Sequence, residues 1–221
     1  MQSAVVQKFQ VISDVHLHKH SGKPHINAEV PYLVIAGNLG YPNQQIYWDF
    51  LTHASEKYQL VFLVLGNVDY QAAEFVFTSS FVRQQIDRLH LSNVIFLDNS
   101  TFDFAIDDHP VRIIGTTLWS DSDTERHEKI QIKTRRSYLP FDTVVSMMHT
   151  HSLSFLETEI ARCEADARSA VVITHYPAPV AAQDRLLRPP VIAWLNGHEP
   201  VQGKRVVNDI PCLAGSVCPS L

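Results

Sequence analysis

The sequence predicts an α/β protein of two packed, mixed β-sheets flanked by helices, in a single domain spanning residues 1–221. Three observations lead to this. Up to Leu91, short apolar runs alternate with longer stretches of helical periodicity, the rhythm of strand–helix–strand units. From Val94 to Gly115 the rhythm changes to closely spaced strand-like runs separated by Asp, Asn, Ser, His and Pro, the sign of an antiparallel segment or a second sheet. Apolar runs from Ala170 and from Val191 then close the chain.

Phe9-Gln10-Val11-Ile12-Ser13 is a short run ending in a polar cluster, so it reads as a strand delivering side chains at its C-terminal end. Tyr32–Ala36 repeats the pattern and stops at Gly37. Gln44 to Tyr58 reads as a helix with Ile46, Phe50 and Ala54 on one face. Leu60 to Leu65 is continuously apolar, as in a strand buried on both faces, and stops at Gly66. A helical region follows from about Ala73 to Leu91. Val94–Leu97, Phe102–Ile106 and Val111–Gly115 are the short middle strands. Residues 120–150 are polar and irregular, which suggests a long loop or lid. A helix from about Ser152 to Asp166 leads into the buried strand Ala170–Thr174, and Val191–Leu195 and Lys204–Val207 are the last strands.

The chain is 45% hydrophobic and 19% charged, ordinary values for a globular protein with a substantial core. No apolar stretch approaches the roughly 18 residues of a membrane span, and the N-terminus lacks signal-peptide character. Cys163, Cys212 and Cys218 lack metal-ligand spacing and read as reduced thiols, which places the protein in the cytoplasm. A net charge of −5 argues against nucleic acid as a partner, because phosphate contacts require a basic face. Arg126 to Arg136, with Lys129, Lys133 and Arg135, is the one basic-leaning stretch: a solvated segment or a cap over an anionic ligand.

Asp14-Val15-His16, Gly37-Asn38-Leu39, Gly66-Asn67-Val68-Asp69, Thr174-His175 and Gly197-His198-Glu199-Pro200 follow strand-like runs, where open α/β sheets gather their ligands. In this order they resemble the segments of the calcineurin-like metallophosphoesterases, particularly the compact Ser/Thr-phosphatase-like branch. Ile114–Ser120 and Gly203–Val207 add to the likeness, which runs from residue 8 to about 210. The resemblance implies an αββα sandwich with two divalent cations at the strand ends. Such a pair acidifies a bound water and neutralises phosphoryl oxygens. Position by position, Asp14 and His16 match ligands of the first cation, and Asn67, His175 and His198 match those of the second.

Three positions depart from that pattern. Asn38 stands where the resemblance implies a bridging aspartate, so two close cations would repel each other largely uncompensated. Val68 stands at the catalytic histidine and can neither donate nor accept a proton. Pro200 stands at the last histidine of the GHxH pattern and offers no ligand. The candidate catalytic residues are Asp14, His16, Asn38, Asp69, His175 and His198. The candidate metal ligands are Asp14, His16, Asn38, Asn67, His175 and His198. Asp69 reads equally as a general base and as a cap on the next helix.

His18 and His20 continue the alternation of Asp14 and His16 into a loop, and Trp119 favours the core over the cleft. His149 and His151 sit where a helix is expected to begin and read as surface histidines. The expected cofactor is one divalent metal (Mn, Zn or Fe) or none, and the expected partner a small molecule in the cleft. Three functions follow: weak or single-metal phosphoester hydrolysis, a repurposed metal-independent enzyme acting on a small organic molecule, and an inactive binding scaffold.

Overall fold

The computed structural model describes residues 2–20, 26–71, 75–120, 141–198 and 203–215. The short helix α1 (Gln2–Val6) leads into four parallel strands, β1 (Phe9–Ile12), β2 (Tyr32–Ala36), β3 (Leu60–Val64) and β4 (Val94–Phe96), side by side in chain order. Helix α2 (Gln45–Lys57) crosses from β2 to β3, and α3 (Phe75–Arg88) from β3 to β4.

The second sheet has the order β5 (Ser100–Ile106), β6 (His109–Thr116), β7 (Ser169–Thr174), β8 (Val191–Asn196), β10 (Ile210–Ala214), β9 (Gly203–Val207). Its four inner strands are mutually parallel, and an antiparallel hairpin partner closes each edge. Both hairpins turn on two left-handed residues, Asp107-Asp108 (φ 49° and 64°) and Asn208-Asp209 (φ 49° and 64°). A two-residue turn of that hand matches the twist of antiparallel strands, and Asp and Asn tolerate it best after Gly. The long helix α4 (Phe141–Ala165) and the single turn α5 (Gln183–Leu186) belong to this half.

The two-residue alternation of side chains sorts the core into three layers. Val34, Ala36, Phe62 and Val64 of the first sheet meet Val111, Ile113, Val171, Ile173, Ala193 and Leu195 of the second. The opposite face of the first sheet, with Leu33, Ile35, Val61 and Leu63, packs on Tyr47, Phe50 and Leu51 of α2 and Val82 and Ile86 of α3. The outer face of the second sheet, with Ile114, Val172 and Trp194, packs on Leu156, Ile160 and Cys163 of α4. This is the expected sandwich: helices, sheet, sheet, helices. Strands buried on both faces read as unbroken apolar runs, which is why β2 and β3 were plain in the sequence.

Four expectations need correction. Val94–Phe96 does not join the antiparallel group; it pairs in parallel with β3 at the edge of the first sheet. Residues 141–150 are not loop, because α4 begins at Phe141 rather than near Ser152. Thr143, Ser146, Thr150 and the histidines dilute the helical signal of its first half. His149 and His151 therefore lie within a helix rather than at its start, and His149 Nδ1 donates to the Trp119 carbonyl. Strand β10, broken in sequence by Pro211, was not expected at all. Cys163 and Cys212 are buried free thiols. Arg126–Arg136, Cys218, Glu199 and Pro200 lie outside the described residues. Among the described residues no helix is long and apolar enough to cross a membrane.

Candidate metal centre

Asp14 and His16 follow β1, Asn38 follows β2, Asn67 and Asp69 follow β3, His175 follows β7 and His198 follows β8. The C-terminal ends of both sheets thus converge on one place, and the backbone there is unusual. Asp14 (φ 55°), His16 (φ 52°), Asn38 (φ 56°) and His198 (φ 52°) all adopt the left-handed conformation, uncommon for residues with a side chain and concentrated at functional sites. Backbone bonds beyond the strand ends hold these loops: Asp14 N–H to Gly37 O at 3.1 Å, His16 N–H to Asn38 O at 3.0 Å and Leu17 N–H to Leu39 O at 2.8 Å.

Asp69 fastens the loops from below. Its buried carboxylate accepts the backbone N–H of Asn38 (2.8 Å), Gly40 (3.0 Å) and Gly66 (2.7 Å). Burial pushes its carboxyl up to about 7, against the pull of those three donors. Buried and held by three backbone donors, its carboxylate has the geometry of a brace.

His175 is fully buried, and glycines make room for it. A Cβ on Gly37 would lie 2.3 Å from His175 Nδ1, and one on Gly66 would lie 2.4 Å from Asn38 Oδ1 and 2.7 Å from His175 Cε1. Gly37 also takes a positive φ of 86°, so both the conformation and the close approach require it.

The polar groups form one chain fixed at each end by a backbone atom that cannot turn around. Val68 N–H donates to Asn38 Oδ1 at 2.8 Å, which sets the orientation of the Asn38 amide. Asn38 Nδ2 must then face the other way, donating to Asp14 Oδ1 at 2.8 Å and to Asn67 Oδ1 at 3.1 Å. At the far end, His175 Nδ1 lies 2.8 Å from the Ala36 carbonyl, which only accepts, so the proton sits on Nδ1. Burial holds the His175 pKa down to about 4, so the ring is neutral near pH 7 and Nε2 carries a lone pair. That lone pair faces Asn67 Oδ1 at 3.2 Å, and the oxygen is an acceptor too. Two acceptors converge with no proton between them, an arrangement that calls for a cation beside them or a proton on Nε2.

Asp14 and His198 complete that corner. One ligand atom from each of Asp14, His175 and His198 lies within 4.8 Å of the others. Asp14 Oδ2 accepts from Ser13 Oγ at 2.8 Å and from the His198 N–H at 3.2 Å. Burial alone would raise the Asp14 carboxyl. His175 and the Asn38, Ser13 and His198 donors outweigh that and hold it below the ordinary range. One carboxylate and two imidazoles, with the Asn67 amide oxygen beside them, make a donor set suited to a divalent cation.

His16 stands at the margin of this group, its Nε2 4.0 Å from Asp14 Oδ1. Its Nδ1 is buried and bonds to no described residue. His18 stacks its ring on Tyr41 at 4.0 Å and meets the His16 ring edge-on at 5.7 Å, and His20 is exposed. Val68 contributes its backbone N–H, and its half-exposed side chain is inert. Trp119 is buried in a ring cluster, 5.4 Å from Tyr70 and 6.3 Å from Tyr176. Ser13, the Ala36 carbonyl and Tyr176, whose ring lies 4.3 Å from that of His198, were not singled out in the sequence. Ser13 and Tyr176 adjoin Asp14 and His175, and adjacency was the one available signal.

No protein-family model matches the chain. An uncharacterised protein of Acanthamoeba polyphaga mimivirus is 22% identical over 250 residues, covering 90% of this chain and 86% of its own. The chain superposes on a phosphopantetheinyl hydrolase of Mycobacterium tuberculosis with a TM-score of 0.61 at 12% identity, covering 96% of this chain and 90% of that one. A dimetal phosphatase of Danio rerio gives 0.50 at 10% identity, with coverage of 96% and 88%. GAP50, the anchor in the inner membrane complex of Plasmodium, gives 0.54 at 14% identity, with coverage of 94% and 70%. At such identities the likeness establishes a common fold.

Proposed function

From the calcineurin-like metallophosphoesterase fold of this chain, we propose that the protein is a diverged phosphoester hydrolase working with one divalent cation instead of two. The observation that carries this is the pair of facing lone pairs, His175 Nε2 and Asn67 Oδ1, beside Asp14 and His198. In the proposed site Asn67, His175, His198 and Asp14 hold the cation. When bound, a divalent ion supplies Lewis-acid polarisation of a phosphoryl oxygen and lowers the pKa of water.

The chain's own residues set the limits of the chemistry. Asn38 fills the gap between Asp14 and Asn67 with two N–H donors, where a second cation would need a carboxylate. Val68 offers no proton to a leaving group, so that part of the usual catalysis, ~10²–10⁴ in rate, is missing. Substrates whose leaving group departs without a proton, such as nitrophenyl esters, should be turned over far better than alkyl phosphates. His16, half-exposed beside Asp14, is placed to steady the phosphoryl group rather than to hold metal.

The test is hydrolysis of bis-p-nitrophenyl phosphate and p-nitrophenyl phosphate with and without Mn. The expected result is a slow rate that chelation removes and that His175→Ala abolishes while far-UV circular dichroism is unchanged. A rate indifferent to both perturbations would end this reading.

A second reading has its own support. The Asn38 bonds satisfy oxygens of Asp14 and Asn67 without any ion, and the fold neighbour GAP50 is described as an anchor. Here the platform binds a partner or a small organic molecule without metal. Function surviving exhaustive chelation and the combined substitution of Asp14, His175 and His198 by Ala would favour it over hydrolysis.

A further inference from the structure

The His16 imidazole lacks the fastening that His175 has. In His175 the bond from Nδ1 to the Ala36 carbonyl fixes where Nε2 points. His16 Nδ1 is buried and bonds to no described residue, so none of these sets the turn of the ring through a hydrogen bond. Nε2 is the nitrogen left to face the centre, 4.0 Å from Asp14 Oδ1.

Ring packing takes over that part. His18 meets the His16 ring edge-on, at 5.7 Å between centroids and 87° between planes. His18 in turn lies flat on Tyr41, 4.0 Å away and 10° from parallel. Its Nδ1 is also buried and bonds to no described residue, so the stack orients this ring too. The His18 pKa is pushed down to about 4, by burial first and then by His16 and Lys19. Near pH 7 its ring is therefore neutral and lies beside His16 without repulsion.

The backbone brings the three rings together. His16, at a left-handed φ of 52°, opens the 3-10 turn Leu17–Lys19 that carries His18. The N–H groups of His16 and Leu17 bond to the carbonyls of Asn38 and Leu39, which ties this turn to the loop after β2. Gly40 lets the two close on each other: a Cβ there would lie 3.1 Å from Leu17 Cβ and 3.2 Å from Leu17 N. Tyr41 follows at once, half-buried, with its ring on His18.

We propose that Tyr41 and His18 are positioning residues that act through His16, their stack holding its imidazole on the Asp14 side of the centre to meet a phosphoryl group. The contact with phosphoryl rests on the hydrolase reading above; the orientation of the ring does not. The Tyr41 ring carries this role and its hydroxyl has no part in it.

The test compares Tyr41→Leu, which removes the stack, with Tyr41→Phe, which keeps it; His18→Leu is a second way of removing it. In excess chelator, the Cε1–H signal of His16, assigned by its loss in His16→Ala, should shift in Tyr41→Leu and in His18→Leu and stay in place in Tyr41→Phe. With Mn and bis-p-nitrophenyl phosphate, Tyr41→Leu should lower kcat about tenfold, as expected of a misplaced contact to the reacting group, and leave KM within about twofold. Tyr41→Phe should retain the wild-type kcat. In a His16→Ala background Tyr41→Leu should cost nothing further, because it acts through the imidazole. The proposal is overturned if the His16 signal ignores loss of the stack, if Tyr41→Phe does as much damage as Tyr41→Leu, or if the losses from His16→Ala and Tyr41→Leu multiply. If wild type itself hydrolyses nothing, the hydrolase reading fails and the His16 signal alone decides the positioning role.

Discussion

Replacing Asn38 by Asp changes two N–H groups into an oxygen and leaves the shape almost untouched. Aspartate tolerates the left-handed backbone, and the bond from Val68 N–H persists on the remaining oxygen. On the other side, the donors to Asp14 at 2.8 Å and Asn67 at 3.1 Å disappear. The charge-assisted bond to Asp14 contributes ~1.5–3 kcal/mol and the neutral one to Asn67 ~0.5–1.5 kcal/mol. Two carboxylates 2.8 Å apart then repel by about 6 kcal/mol at an effective dielectric of 20. The pair escapes part of this by taking up a proton, which at pH 7 costs about 4 kcal/mol for a carboxyl of ordinary pKa and restores a donor to Asp14. The loss in chelator therefore levels off near 4 kcal/mol, a large share of the ~5–15 kcal/mol of a typical domain. Cations reverse it: an ion at about 1,000 times its Kd returns roughly 4 kcal/mol. The assay is urea unfolding of wild type and N38D, each with chelator and with Mn. The expected pattern is a strongly destabilised variant in chelator that Mn restores by more than it adds to wild type. Equal stability of the two proteins in chelator, to within 1 kcal/mol, would show that the Asn38 amide does not hold the ligands together.

Two further outcomes are expected. His175 has its folded pKa depressed from 6.5 to about 4, so its contribution is complete above pH 6.5 and is lost as pH falls towards 4. The stability advantage of wild type over His175→Gln in chelator should then shrink by about 3 kcal/mol across that window; a difference flat from pH 7 to 4.5 would mean the ring titrates in the folded protein as it does in the unfolded chain. Gly66→Ala would set a Cβ 2.4 Å from Asn38 Oδ1 and 2.7 Å from His175 Cε1, so unfolding should show a loss of about 3 kcal/mol, and a loss under 1 kcal/mol would contradict the packing described.

The elements most legible in the sequence were those whose signal is local. β2, β3 and β7 are short apolar runs buried on both faces, and each ends at a residue of the centre. Asp14, Asn38, Asn67, His175 and His198 could be brought together on paper because parallel strands put all their C-terminal ends on one side. The first half of α4 was not legible, since Thr, Ser and His carry weak helical preference and its packing partners lie far away in sequence. Nor was the orientation of the Asn38 amide, which depends on the Val68 N–H, a backbone atom with no sequence signature. Asp69 illustrates the same limit: the three backbone donors that meet its carboxylate come from two loops and have no sequence signature.

Elemental analysis of the folded chain after equilibration with Mn or Zn and removal of loosely held ions decides between one ion, two and none. The geometry of Asn67, His175, His198 and Asp14 predicts one ion per chain, lost in His175→Ala and in Asn67→Ala and kept in His16→Ala. Two ions, or none, or one that survives loss of the His175 imidazole, would contradict it.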